Sequence, residues 1–216
     1  VNSIAPCVVP VSSTLVLSFQ KVPVASAGPN LTRCAIPFQV TDGTADLTTV
    51  SNLVWSTSGT GTFDFANIID PIYTPSAADI LNGSVRLTLT ANPIAPCADP
   101  LVSFTDVTLI KLPLITVVSP QPTICEDETN VLVNGTNVQN AASYIWTSTT
   151  GTGTTISNAT SLTPIVTPSL TDITNNYIDL TITAIPNAPC SNNETKIVRI
   201  PIQKKGKITH SVREPD

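Results

Sequence analysis

Laid over itself, the chain brings Cys34 onto Cys125 and Trp55 onto Trp146, both at an offset of 91 residues (125 − 34 and 146 − 55). An internal repeat of this length limits the fold to modules of about 90 residues set in tandem. The stretch WSTSGTGTF from Trp55 returns as WTSTTGTGT from Trp146, and YTPSAADI from Tyr73 as VTPSLTDI from Val166. VRLTLTANPIAPC from Val85 returns as IDLTITAIPNAPC from Ile178, the two copies closing at Cys97 and Cys190. A third copy of that ending, IAPC, closes at Cys7, and each of these cysteines lies 14 residues before a lysine: Lys21, Lys111 and Lys204. Residues 1–22 therefore read as the last strand region of a preceding unit, or as a first strand that completes a neighbouring molecule by strand addition, with 23–113 and 114–204 as two full units and 205–216 as a tail or linker.

Inside a unit, FQV, NLVWS, VRLTLTA and FTDVTLIKL run apolar or alternate with β-branched residues, between clusters of Gly, Pro and Asn. Period-2 runs bounded by turn residues are strands. The one helical signal is TPSAADI, where Thr74 as cap and Pro75 at the first helical position predict a single turn. About seven short strands per 90 residues, with one tryptophan in the middle of each unit, predict an all-β fold of tandem Ig-like antiparallel β-sandwiches cored by Trp55 and Trp146.

The ordered motifs WSTSGTGTF, YTPSAADI, NGSVRLTLTA and APC resemble the PKD-like or Ig-like repeats of giant surface proteins of Bacteroidetes, among them the SprB-like gliding adhesins. The resemblance covers both units and is closest in the first; the second has Thr155 where Phe63 stands and Leu170 in place of Ala77. It implies repeats that act as extension and adhesion modules, exported by the type IX system and carried at the cell surface.

Composition narrows the function. Charged residues are 12% of the chain, about half the usual share. The net charge is −5, and no basic stripe occurs before Lys204, Lys205 and Lys207, so the body offers nucleic acid no footprint. The apolar stretches Val8 to Phe19 and Leu109 to Val118 are interrupted by proline and polar residues well short of a membrane span. The first residues lack the pattern of a signal peptide, so the chain reads as mature sequence or a fragment. The sole histidine, His210, lies in the tail, which excludes hydrolytic triads from both units. No enzyme chemistry is expected.

TSGTGT and TSTTGTGT lack the Gly-Lys-Ser/Thr and the helix of a phosphate loop and are expected to be hairpin turns. Glu126, Asp127 and Glu128 form the one dense acidic cluster, a candidate for Ca²⁺ as the only cofactor under consideration; it lacks the spaced Asp/Asn pattern of a dedicated loop. Sequons begin at Asn30, Asn82, Asn134, Asn158 and Asn193.

The five cysteines admit two pairings. Within units, Cys34 would join Cys97 and Cys125 would join Cys190, each closing a loop valued at roughly 4 kcal/mol. Against this, Cys34 precedes its strand and Cys97 follows the penultimate one, positions about 20 Å apart in an Ig-like topology, whereas a disulfide needs Cα atoms within about 7 Å. Across units, Cys34 would join Cys190, leaving Cys7, Cys97 and Cys125 to bond partners outside the chain. The spacing of none of them suits a metal. The expected protein is an extracellular or cell-surface stalk or fibre segment whose partners are neighbouring repeats or identical subunits, with surface glycans or another cell as further contacts; the rival expectation is a carbohydrate- or protein-binding module of a secreted protein.

Overall fold

The computed structural model describes residues 12–149 and 153–206, and places Cys7, Lys207 and His210 outside that range. Two apolar clusters that share no residue form the cores. One draws on residues between Ala25 and Leu109, the other on residues between Ile115 and Ile202. The protein is a tandem of Ig-like β-sandwiches.

In the first sandwich the chain runs through β1 (Ala25–Ser26), β2 (Leu31–Cys34), β3 (Phe38–Gln39), β4 (Thr44–Ala45), β5 (Val50–Thr57), β6 (Thr62–Phe63), β7 (Ile72–Thr74), α1 (Ala77–Asn82), β8 (Ser84–Pro93) and β9 (Leu101–Ile110). One sheet has the order β2-β9-β8-β5 and faces a smaller one, β3-β7-β6, with β1 and β4 paired apart. The second sandwich repeats this with β10 (Leu114–Thr116), β11 (Ile124–Cys125), β12 (Val131–Leu132), β13 (Asn137–Gln139), β14 (Ala141–Ser148), β15 (Thr155–Ser157), β16 (Ile165–Thr167), α2 (Leu170–Asn175), β17 (Tyr177–Pro186) and β18 (Glu194–Gln203). Its sheets are β11-β18-β17-β14 and β12-β16-β15, with β10 on β13. Among the described residues each sandwich thus has nine strands of two to ten residues rather than seven.

The alternation of side chains explains why the long strands dominate. On β8, Val85, Leu87, Leu89 and Ala91 point inward, and on β17 so do Ile178, Leu180, Ile182 and Ala184. Each large aliphatic side chain so buried contributes about 1.5–3 kcal/mol. Trp55 on β5 and Trp146 on β14 lie under these rows, 3% and 2% exposed, and their indole Nε1 groups donate to the carbonyls of Ile68 and Ser161. A buried indole with a satisfied N–H packs as core and has no face left for a sugar.

Across the long sheet, Arg86 on β8 faces Asp106 on β9 and reaches it with two nitrogens, at 2.8 and 2.9 Å, while stacking on Phe104. In the second sandwich the charges trade strands. Asp179 stands on β17 and Arg199 on β18, and Arg199 stacks on Tyr177. The cross-strand pair has been kept while its two residues changed places, which marks the pairing register as the common feature of the two units.

Because the cores share no residue, Trp146→Ala is expected to destabilise the second sandwich by about 3–5 kcal/mol. Trp55, then the only tryptophan, reports the first. With the cysteines reduced, so that no disulfide links the units, urea unfolding followed by its fluorescence is expected to show a transition shifted by less than about 0.5 kcal/mol, the tolerance for independent sites.

Candidate functional site: the junction between the sandwiches

The helical turns of the two units carry a device that the sequence reading did not identify. Ser76, not Thr74, caps α1: its side-chain oxygen accepts from the Asp79 amide, and the Asp79 carboxylate accepts from the Ser76 amide. Pro75 lies before the cap instead of inside the helix, and the helix runs six residues to a left-handed Gly83. Ser169, Asp172 and Asn176 play the same parts around α2. The reciprocal box satisfies two amides that a helix start otherwise leaves open.

Asp79 does more than cap. It is 1% exposed, and its carboxylate also accepts from the amides of Thr60 (3.1 Å) and Gly61 (2.9 Å) and from the Tyr73 hydroxyl (2.9 Å). The TSGTGT stretch is therefore not a hairpin turn. It links β5 in one sheet to β6 in the other, and wraps its backbone around a buried carboxylate on the way. Glycine is required at position 59 because a Cβ there would overlap the Asp79 carboxylate. In the second unit Val166 replaces Tyr73, and Asp172 accepts from the hydroxyls of Thr154 and Ser169. Burial alone pushes the Asp79 carboxyl up; the Ser76 amide, the Tyr73 hydroxyl and the Thr60 amide outweigh it and hold it below its usual value.

The acidic cluster follows β11. Glu128 accepts from the Cys125 amide, Glu126 from the Lys205 amide, and Asp127 pairs with the Lys205 ammonium, which holds its carboxyl low. The three carboxylates are thus turned to separate donors. Among the described residues no group of three or more His, Cys, Asp or Glu side chains converges as a metal site.

The cysteines define the junction. Cys34 is bonded to Cys190, with Cα atoms 5.0 Å apart, and Cys97 and Cys125 are free. The within-unit pairs Cys34 with Cys97 and Cys125 with Cys190 are not formed, and strand pairing explains why. Cys34 does not precede its strand but ends β2, which runs parallel to β9 with Cys34 opposite Ile110. Cys97 lies in the loop before Leu101, at the other end of β9. Ten residues of strand separate the two, roughly 30 Å, four times what a disulfide spans. Cys125, opposite Gln203 on β18, is removed from Cys190 in the same way.

At the junction, the Ile110 carbonyl accepts from the Ala35 amide at 2.9 Å, and the Cys190 sulfur lies 3.4 Å from the same oxygen. Only Lys111, Leu112 and Pro113 connect β9 to β10. A three-residue linker and a disulfide therefore join the same two ends, and two covalent strands hold the units where one would leave a swivel.

No family model matches the chain, and no curated protein does. Solved structures with a similar course of the chain include mouse cadherin-23 EC22-24, at 13% identity over 85% of this chain and 67% of that one, with a TM-score of 0.48. Human desmocollin-1 ectodomain matches at 14% identity over 86% and 42%, TM-score 0.40, and protocadherin gamma B2 extracellular cadherin domains 3-6 at 12% over 82% and 47%, TM-score 0.41. This chain spans less than half the length of the last two.

Two outcomes follow from the geometry. Asp79→Asn keeps the shape but replaces a charged acceptor, and is expected to cost roughly 1–3 kcal/mol at neutral pH. Since the folded carboxyl is held low, the stabilisation it supplies is complete above about pH 4, the unfolded value, and fades as pH falls through the folded one. Denaturation of wild type and variant is therefore expected to converge in acid.

For the disulfide, Cys34 is fixed beside Ile110, so unfolding of the second sandwich alone opens a loop of 80 residues, the interval from Ile110 to Cys190, and not the full 156. The chain-entropy relation values such a closure at about 4.5 kcal/mol. Cys34→Ser is expected to lower the second unit's unfolding free energy by up to that amount, read by calorimetry.

Proposed function

We propose that the chain is a structural segment of a secreted or cell-surface adhesin or extracellular fibre, acting as a spacer in surface attachment, gliding or cell contact. Residues 23–113 and 114–204 are its two units, residues 1–22 belong to a preceding repeat, and 205–216 form a tail or linker. The kind of parent proposed is a SprB-like gliding adhesin of Bacteroidetes, exported by the type IX route, and that part of the reading rests on the repeat motifs. The observation that carries it is the doubly joined junction. A spacer must transmit load without lengthening, and a disulfide between the first unit's second strand and the second unit's late loop diverts the load around residues 35–189. Such a bond belongs to an oxidising, extracytoplasmic setting. Partners are neighbouring repeats or identical subunits, with surface glycans or another cell at a distal end.

The experiment is single-molecule extension of the chain from its two termini, with and without reductant. Load entering at one end crosses from Cys34 to Cys190 and bypasses 156 residues of sequence. At roughly 3.6 Å per residue the fully extended oxidised chain is expected to be about 560 Å shorter than the reduced one. Equal lengths, or binding of the oxidised chain across a glycan array, would overturn the spacer reading.

A further inference from the structure

The central junction has three parts: a strand residue that ends β9, Ile110; a cysteine opposite it on the parallel edge strand, Cys34; and a cysteine from the next unit's late loop, Cys190, whose sulfur rests on the Ile110 carbonyl. Each end of the chain holds two of the three. Gln20 and Gln203 occupy the place of Ile110, each 13 residues after a cysteine, as Ile110 is after Cys97 (20 − 7, 110 − 97, 203 − 190). At the upper end the Cys97 sulfhydryl donates to the Gln20 carbonyl at 3.7 Å, so the loop cysteine and the carbonyl that it meets are in place and the edge-strand cysteine is not. At the lower end Cys125 stands opposite Gln203, whose carbonyl accepts from the Glu126 amide as that of Ile110 accepts from Ala35. There the loop cysteine is the missing part.

Residues 12–22 show the same incompleteness in their side chains. In the register that places Gln20 on Ile110 and Gln203, Phe19 corresponds to Leu109 and Ile202, Leu17 to Val107 and Ile200, and Leu15 to Thr105 and Val198. Those six are buried, whereas Leu15, Leu17 and Phe19 are each more than 70% exposed. Residues 12–20 form no strand themselves, and their apolar side chains, at register positions that face a core in both units, stand uncovered.

We propose that Cys97 and Cys125 are the open ends of a disulfide ladder running through tandem units of this repeat on one polypeptide. Cys97 bonds a cysteine at the end of the edge strand of the preceding unit, which takes residues 12–20 as its last strand. Cys125 bonds the late-loop cysteine of the following unit. The proposal rests on the spacer reading and specifies how the spacer is continued. Each bond forms by thiol–disulfide exchange with the disulfide of an extracytoplasmic oxidoreductase. One thiolate attacks the carrier to give a mixed disulfide, and the second displaces it; two protons and two electrons leave the cysteine pair and the carrier departs as a dithiol.

The test is non-reducing peptide mapping of the protein from the cells that make it, with free thiols alkylated first, together with hydrogen exchange of residues 14–20. The expected result joins Cys97 to a peptide upstream of residue 1 in the same polypeptide and slows exchange across 14–20. Cys97→Ser is expected to abolish that cross-linked peptide and leave the Cys34 to Cys190 peptide at its wild-type yield. An alkylated Cys97, a link from Cys97 to Cys7, a link to Cys125 of a second copy, or fast exchange at 14–20 would each overturn the ladder. The bypass under load would be unaffected by any of these, so the spacer reading can survive its loss.

Discussion

The parallel pairing of β2 with the last four residues of β9 governs the rest of the junction. It is a short contact, Leu31 to Cys34 against Val107 to Ile110, yet it carries the first cysteine to the exit of the sandwich and not to its mouth. From there the cysteine faces the next unit and lies a strand's length from the loop cysteine of its own. The linker and the disulfide then act as two legs planted side by side. The repetition of the pairing, with Cys125 opposite Gln203, gives the second unit the same outward-facing thiol.

Stiffness at a junction has value only where the bodies it joins are stiff, and the buried aspartates supply this. Asp79 and Asp172 sit where the chain crosses between sheets, the part of a sandwich with the fewest ladder hydrogen bonds of its own. By collecting donors from the crossing loop and from the following turn, Asp79 ties the two sheets together through one carboxylate. A buried charge is tolerated there because its oxygens are saturated with donors.

Much of this was legible in the sequence. The 91-residue offset, the alternating strands and the central tryptophans indicate two Ig-like sandwiches, and the wide separation of Cys34 from Cys97 argues against their pairing. What was hidden depends on partners distant in sequence. An aspartate inside TPSAADI or TPSLTDI looks like any loop carboxylate. The usable signal was the recurrence of Ser-x-x-Asp after a glycine-rich stretch in both units, which is a capping box with an unexplained glycine requirement upstream. The helix is capped two residues later than the sequence predicts, because Thr and Pro fit the first turn as well as Ser does. Of the two-residue strands, β3 lies in the FQV run, whereas β1 and β4 are too short to leave a period. The acidic cluster beside Cys125 reads as a site in sequence only because three carboxylates adjoin; in space each turns to its own donor.

The edges of the long sheets also carry features that oppose strand pairing, both edges in the first sandwich and the β14 edge in the second. On one side the short β2 leaves most of β9 uncovered, but side chains fill in: Ser103 accepts from the Ala27 amide, Thr105 donates to the Pro29 carbonyl, and Asn30 accepts from the Asp106 amide. On the other side β5 and β14 are edge strands, and each begins with a register shift, between Val50 and Asn52 and between Ala141 and Ser143. Bulges and side-chain caps at an edge prevent a foreign strand from adding to it. Addition of a foreign strand, the step by which sheets fuse edge to edge into amyloid-like stacks, is thereby opposed wherever these bulges and caps lie.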